Sequence, residues 1–361
     1  MKARRVRTVI AWSGLPTYAA RLLRPVVARH DVSVIASRAQ FHYEGVEADL
    51  GAPVHWIDES RPTSWAEIGL PPPELFIHTG WNIPAFNSLA VEAAAAGAWR
   101  VPMIDNNWKG TPRQYAGLLV FRGMMRRKFD RVIVPGRAGV KFVRRLGVAS
   151  PRIFTGMYGA DAGLFTPGLP GSRREKRCIF IGQLIERKGI REMIAAWQAS
   201  GAAGLGWELR CFGAGPLEGL LRDVAGVTYG GFAQAGELSA ELAQARALLL
   251  PSREEHWGVV VHEAALSGCA LLVSAAAGAA EDLVVPNNGS TFRPRGQAAL
   301  TRALRLLLSR PPDWFDRASR QSLLLAAQYG PARWLEMYES LCAELPKTER
   351  APRVSSPSHR P

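Results

Sequence analysis

Short apolar runs alternate with helix-length segments along nearly the whole chain, and the alternation happens twice. In the first half the runs are Thr8–Trp12, Val32–Ala36, Leu75–Thr79, residues 102–105 and residues 131–134. Residues 16–29, 83–96, 114–129 and 138–146 lie between or after them and have helical character. A stretch rich in Pro, Gly and Ser, then in charge, covers residues 165–175 and reads as a linker. A second series follows at residues 178–181, 209–212, Val227–Tyr229, 247–250 and 271–273. Apolar strands alternating with helices predict parallel sheets covered by helices, an α/β fold. Two Rossmann-like domains are expected, residues 1–168 and 174–328, facing a cleft. In such sheets ligands bind beyond the C-terminal ends of the strands. Helices are also expected at residues 300–308, 316–327 and 333–345, the last with Trp334, Met337, Tyr338 and Leu341 at helical spacing. The polar, Pro-rich tail from 346 to 361 is expected to be disordered.

Composition fits this division. The chain of 361 residues, 47% of them hydrophobic, can fill two ordinary cores. Cys178, Cys211, Cys269 and Cys342 are scattered, without a Cys-x-x-Cys, so buried thiols in a reducing, cytoplasmic compartment are expected. The apolar stretch after the basic N-terminus is too short for a signal-peptide core, and no run reaches the ~18 residues of a membrane span. The formal charge is +14. Much of it clusters between Arg122 and Arg145, where nine basic residues face one acid, Asp130. The cluster is either a solvated face or a docking surface for anionic lipid on the inner face of the cell membrane, or for a diphosphate-linked acceptor. No nucleic-acid motif accompanies it, so nucleic acid is not an expected partner.

The most chemically specific segment runs from Pro251 to Gly268. Glu255 and Glu263 stand eight positions apart across Gly258. The preceding apolar run reads as a buried strand closed by Pro251, and residues 257–267 as a short helix capped by Gly268. Glu255 then lies in a strand-to-helix loop and Glu263 on the helix. Gly258, Val259 and Val260 would present the free N–H groups of a helix start to an anion such as phosphate. Flanking carboxylates could accept hydrogen bonds from hydroxyls on either side. A nucleoside diphosphate sugar has this layout, with ribose, diphosphate and hexose in sequence.

The segment resembles the Glu-x7-Glu motif of retaining glycosyltransferases of family 4, with Trp257 in place of the usual Phe. The resemblance implies the GT-B fold, a last helix that crosses back to the first domain, and a nucleotide-sugar donor as substrate. It implies that Glu263 binds the ribose hydroxyls and that Glu255 binds the transferred sugar. Residues 179–190 resemble the family's Gly-Arg-Leu-x-x-x-Lys-Gly element. Lys188 matches the lysine that holds the diphosphate and neutralises it as it leaves. Gln183 occupies the usual arginine position, and Arg187 is a candidate to supply the missing charge. Gly14, after the first strand, matches a glycine placed against the diphosphate. Residues 211–216 look like the family's second Gly-rich turn. Residues 105–111 follow a first-domain strand, and Asp105, Asn107 and Trp108 are candidate acceptor-binding residues, Trp108 standing where the family often has histidine.

There is no Asp-x-Asp, and His256 and His262 lack a zinc-site spacing, so neither a metal nor another cofactor is expected. The expected activity is metal-independent, retaining transfer of a sugar to an acceptor hydroxyl, in envelope polysaccharide or glycolipid assembly. A GT-B epimerase or hydrolase of sugar nucleotides, or a non-catalytic basic membrane scaffold, is the alternative. His78 reads as a capped core histidine.

Overall fold

The computed structural model describes residues 5–38, 45–80, 82–122 and 128–346. The first domain contains β1 (Thr8–Trp12), α1 (Thr17–Arg29), β2 (Val32–Ala36), α2 (Val46–Leu50), β3 (Val54–Trp56), β4 (Leu75–Thr79) and α3 (Pro84–Ala95). It continues with β5 (Trp99–Met103), α4 (Pro112–Val120), β6 (Val132–Val134), α5 (Arg137–Arg145) and β7 (Ile153–Thr155). Its seven strands are all parallel, in the order β3-β2-β1-β4-β5-β6-β7. β1 and β4 are buried along their whole length, which is why they read as largely apolar runs, with Thr8, His78 and Thr79 buried at their ends.

The second domain contains β8 (Glu175–Ile181), α6 (Ile190–Ser200), β9 (Glu208–Phe212), β10 (Val227–Tyr229), α7 (Ala235–Gln244), β11 (Ala245–Leu250) and α8 (Val259–Leu266). It ends with β12 (Ala270–Ser274), α9 (Ala280–Leu283), β13 (Gly289–Phe292), α10 (Gln297–Leu308) and α11 (Pro312–Ala326). Its six parallel strands run β10-β9-β8-β11-β12-β13. The order reverses between β8 and β11, so the crossovers leave on opposite sides there and a crevice opens at their C-terminal ends.

A last helix, α12 (Pro331–Ala343), belongs to the first core although the second domain precedes it in sequence. Trp334, Leu335, Met337, Tyr338 and Leu341 are buried with residues of α1 and β1. The Tyr338 hydroxyl is 2.8 Å from that of Thr8. His262 pins the connection between the domains. Its Nδ1 accepts from the Ala160 N–H at 2.8 Å, and its Nε2 lies 2.9 Å from the Ala326 carbonyl, to which it donates. Burial lowers its pKa to about 4, so it is neutral. His78 is likewise buried at the end of β4, its pKa lowered to about 4 by burial.

Several boundaries differ from the sequence reading. The fourth strand is Trp99–Met103 rather than 102–105, because Arg100 and Trp99 lie at a half-buried edge that hydropathy does not mark. The helix expected over 114–129 ends as an α-helix at Val120. Phe129 is outside it, its ring 5.5 Å from that of Phe121. The short β3, β7 and β13, and helices α2 and α7, carried no clear periodic signal. Cys178, Cys211 and Cys269 are buried free thiols. The tail expected to be disordered lies, from residue 347, outside the described residues, as do Arg126 and Arg127 of the basic cluster. Among the described residues no helix is long and apolar enough to cross a membrane.

Candidate active site between the two sheets

The site is built at the C-terminal ends of β8 and β11. After β8 the chain makes a tight 3-10 turn at Glu186–Lys188 and closes on Gly189 at φ 72°. A Cβ on Gly189 would lie 2.4 Å from the Pro251 carbonyl oxygen, so only glycine lets this turn press against the end of β11. Two hydrogen bonds lock the contact. The Arg253 N–H donates to the Arg187 carbonyl at 2.8 Å, and the Arg187 guanidinium donates to the Glu254 carbonyl at 3.0 Å.

This docking brings Lys188 and Glu255 together. The Lys188 ammonium pairs with Oε2 of Glu255, and the Ser252 hydroxyl donates to the same oxygen at 3.2 Å. Both charged side chains are only 12% exposed, so their attraction is little screened by solvent. The adjoining turn after β9 is equally constrained. A Cβ on Gly213 would lie 1.9 Å from the Gly182 carbonyl oxygen, and one on Gly215 would lie 2.5 Å from that of Leu184. These two glycines let the β9 turn pack onto the β8 turn. Gln183 is exposed on that turn.

Helix α8 starts beside Glu255. Gly258 caps it in the left-handed region at φ 88°, and a Cβ there would meet Glu255 Cγ at 3.2 Å. The first-turn N–H groups of a helix have no intrahelical acceptor, so Val259 and Val260 carry donors and a partial positive charge next to the Lys188–Glu255 pair. Glu263 lies one turn further along α8. Burial raises its pKa to about 7, so it titrates near neutrality.

The first domain meets this loop through the strand end after β5. Asn107 Nδ2 donates to the carbonyls of Glu255 and His256 at 2.9 and 2.7 Å. Gln114 on α4 holds Asn107 in turn, donating to its carbonyl at 2.9 Å. Asp105 accepts from His256 Nδ1 at 3.0 Å and from the Tyr158 hydroxyl at 2.9 Å. Burial raises the Asp105 carboxyl, but hydrogen bonds from His256 and Tyr158 outweigh it and leave the group below its ordinary value. The same hydrogen bond holds His256 above its ordinary value. Asp105 and Asn107 thus clasp the loop that carries Glu255. Trp108 instead packs edge-on to Tyr115, with Arg145 over its ring at 5.3 Å. Gly14 adopts φ 58° after β1 and gives its N–H to the Ser37 hydroxyl at 2.8 Å. Arg187 spends a guanidinium N–H on the Glu254 carbonyl, which makes it a brace for the Glu255 loop.

Sequence reasoning missed Ser252, Tyr158 and the role of His256. From the sequence alone His256 offers only a zinc-ligand reading, and its partner Asp105 is too distant in sequence to be found by spacing. Among the described residues no group of three or more His, Cys, Asp or Glu side chains could hold a metal ion.

Comparison with known proteins places this geometry. Residues 175–310 match the family model described as "Glycosyl transferases group 1". Glycogen synthase of Mycobacterium tuberculosis is 26% identical over 260 residues, 68% of this chain and 55% of that protein, so the chain spans about half the length of the curated relatives it matches. Among solved structures, sucrose-phosphate synthase from Thermosynechococcus elongatus superposes with a TM-score of 0.71 at 16% identity, covering 94% of this chain and 99% of that one. Anabaena HepE in complex with UDP and glucose gives 0.72 at 15% identity, covering 94% and 100%. The pneumococcal O-GlcNAc transferase GtfA, in complex with UDP and GlcNAc, gives 0.69 at 13% identity, covering 95% and 99%. The chain therefore has the two-sheet GT-B fold of glycosyltransferases, and its second domain matches the model of the group 1 glycosyl transferases over residues 175–310.

Proposed function

We propose that this protein is a retaining glycosyltransferase of family 4 that moves a sugar from a nucleotide-sugar donor to an acceptor hydroxyl. The observation that carries the reading is the convergence of Lys188, Glu255 and the N-terminus of α8 at the ends of β8 and β11. A donor diphosphate fits over Gly258, Val259 and Val260, where helix N–H groups and Lys188 meet its charge. Its arrival would draw Lys188 from Glu255 to the phosphate oxygens. Glu255 is then released to accept hydrogen bonds from the sugar. Glu263 accepts from the ribose hydroxyls, which favours its ionised form. As the glycosidic C–O bond breaks, negative charge grows on the departing nucleoside diphosphate, and Lys188 stabilises it where it develops. The acceptor hydroxyl adds to the same face of the sugar and gives its proton to the leaving phosphate oxygen. Gln183 can add a neutral hydrogen bond to the diphosphate.

The acceptor approaches from the first domain, beside Asp105 and Asn107. UDP occurs in the HepE and GtfA structures, so UDP-sugars are the first donors to test. Lys188 and the helix start supply the positive charge a metal would otherwise provide, so transfer is expected to persist in EDTA. Loss of activity on chelation, restored by manganese or magnesium, would refute that point. Basic residues of the Arg122–Arg145 stretch, with exposed Leu119 and Val120 on α4, suit peripheral docking on anionic membrane near a lipid-linked acceptor in envelope assembly. Equal sedimentation with neutral and anionic vesicles at low salt would remove the docking.

The decisive experiment is incubation with a panel of UDP-, GDP- and ADP-sugars, with separate readouts for sugar transfer, epimerisation and hydrolysis. Donor binding raises the melting temperature by linkage. A chain that binds no nucleotide sugar would be the basic scaffold instead.

A further inference from the structure

A second cavity lies between the domains, on the far side of the Glu255 loop. Its volume is about 650 Å³. Glu255 is extended and forms a parallel bridge with Ala277, so neighbouring side chains alternate faces. Glu255 turns to Lys188, whereas Glu254 turns to Lys109 on the opposite face, at 2.8 Å. The wall between the two spaces is the loop itself, pinned by Asn107.

The lining of this second cavity is strongly basic. Lys109, Lys141, Arg145, Arg253 and Arg295 contribute five positive charges against Glu254 and Glu281. Lys109, Lys141 and Arg253 have carboxylate partners in Glu254, Glu281 and Glu192. Arg145 and Arg295 have no carboxylate within ion-pair distance among the described residues. Arg145 rests on the Trp108 ring, and Arg295 sits at φ 62°. The left-handed conformation is costly for a residue other than Gly, Asn or Asp, and such strain concentrates at ligand sites. The floor is the small-residue turn 275–278, where a Cβ on Gly278 would lie 2.3 Å from the His256 carbonyl oxygen.

We propose that this cavity is a second anion site, separate from the donor site, that binds the diphosphate or phosphomonoester group of another ligand. Two guanidiniums without a carboxylate in ion-pair distance offer bidentate donors matched to phosphate oxygens, and three ion-paired cations line the same cavity. The phosphate could belong to a soluble compound or to a lipid headgroup.

Inorganic pyrophosphate binding to the full chain, followed by calorimetry, tests the site. Two binding events are expected in the wild type. Arg145→Gln with Arg295→Gln should weaken one event at least about tenfold and leave UDP binding unchanged. Lys188→Ala should weaken only the other event. Unchanged melting would show that both variants are folded. If the arginine pair leaves pyrophosphate binding intact, or if Lys188→Ala abolishes all of it, the second site does not exist. Phosphatidic acid vesicles distinguish the sources. Vesicle binding that falls in Arg295→Gln alone, which leaves the Arg122–Arg145 stretch intact, assigns a lipid headgroup, and binding of soluble pyrophosphate alone assigns a free phosphate compound. Weakened UDP binding in Glu263→Ala reports separately on the donor reading.

Discussion

The two domains share an architecture but treat their strand ends differently. In the second domain the ends of β8 and β11 are pressed together through Gly189 until a lysine and a glutamate pair in a nearly closed space. In the first domain the ends of β1, β4 and β5 spend their polar groups on structure. Gly14 and Ser13 give their N–H groups to Ser37 and Thr79, and Asn107 is committed to the carbonyls of the opposing loop. One sheet presents a largely buried charged pair, and the other positions the loop that carries its glutamate. A site divided this way should separate chemistry and donor binding, which depend on the second domain, from alignment, which depends on the first.

The largest expected effect is on turnover. Lys188→Ala should lower kcat by about 10²–10³, because it removes a cation opposite charge that grows in the transition state. Donor affinity should fall much less. Steady-state kinetics with a cognate donor checks this, and an unaffected kcat would move the role to another cation. Glu263→Ala comes next. It removes charge-assisted hydrogen bonds to ribose, each contributing about 1.5–3 kcal/mol before compensation, so donor binding should weaken at least about tenfold. Wild-type affinity in a titration would take Glu263 out of the site.

The Glu263 carboxyl also gives the comparison a pH signature. Its pKa in the empty site is about 7, and hydrogen bonds from ribose lower it in the complex. Donor affinity should therefore be level above about pH 7. Below it, affinity should fall by up to about tenfold per pH unit as the carboxyl takes a proton. Glu263→Gln should bind weakly but with a flat profile between pH 5.5 and 8, and a profile identical to wild type would assign the titration elsewhere. The smallest effect belongs to the first domain. Asn107→Ala deletes two hydrogen bonds, each contributing about 1 kcal/mol net, so kcat should fall about threefold to thirtyfold while nucleotide affinity stays within about twofold. Equal losses in both would mean that the first domain helps to hold the donor.

Legibility followed the same division. Glu255, Gly258 and Glu263 are close in sequence because a strand, its loop and the following helix are one local unit, so their spacing carries the geometry. Lys188 could be found because residues 179–190 resemble the family's Gly-Arg-Leu-x-x-x-Lys-Gly element, which is itself one local strand-to-helix unit. The clasp of Asp105 and Asn107 on residues 255 and 256 had no such signal. Its partners are about 150 positions apart, and each looks like an ordinary polar loop residue. Trp108 read as a cleft residue from its place after a strand. The turn at 107–109, held by Gln114, sends it to the other face of the loop, where it lines the basic cavity between the domains. The end of α4 had no clear signal for a related reason, since the apolar pattern continues past Val120 and through Gly123 to Phe129.

By itself the sequence determined the alternation of buried strands and helices, the split near residue 170 and the local placement of the charged and glycine positions. All of these rest on periodicity and backbone freedom within a few residues. Only the tertiary structure decided which strand ends adjoin, that α12 packs on the first core, that Arg187 braces a loop, and that Glu254 and Glu255 face opposite sides of that loop. Those outcomes depend on contacts between segments distant in the chain, where close packing and hydrogen-bond satisfaction select one arrangement among many that the local patterns allow.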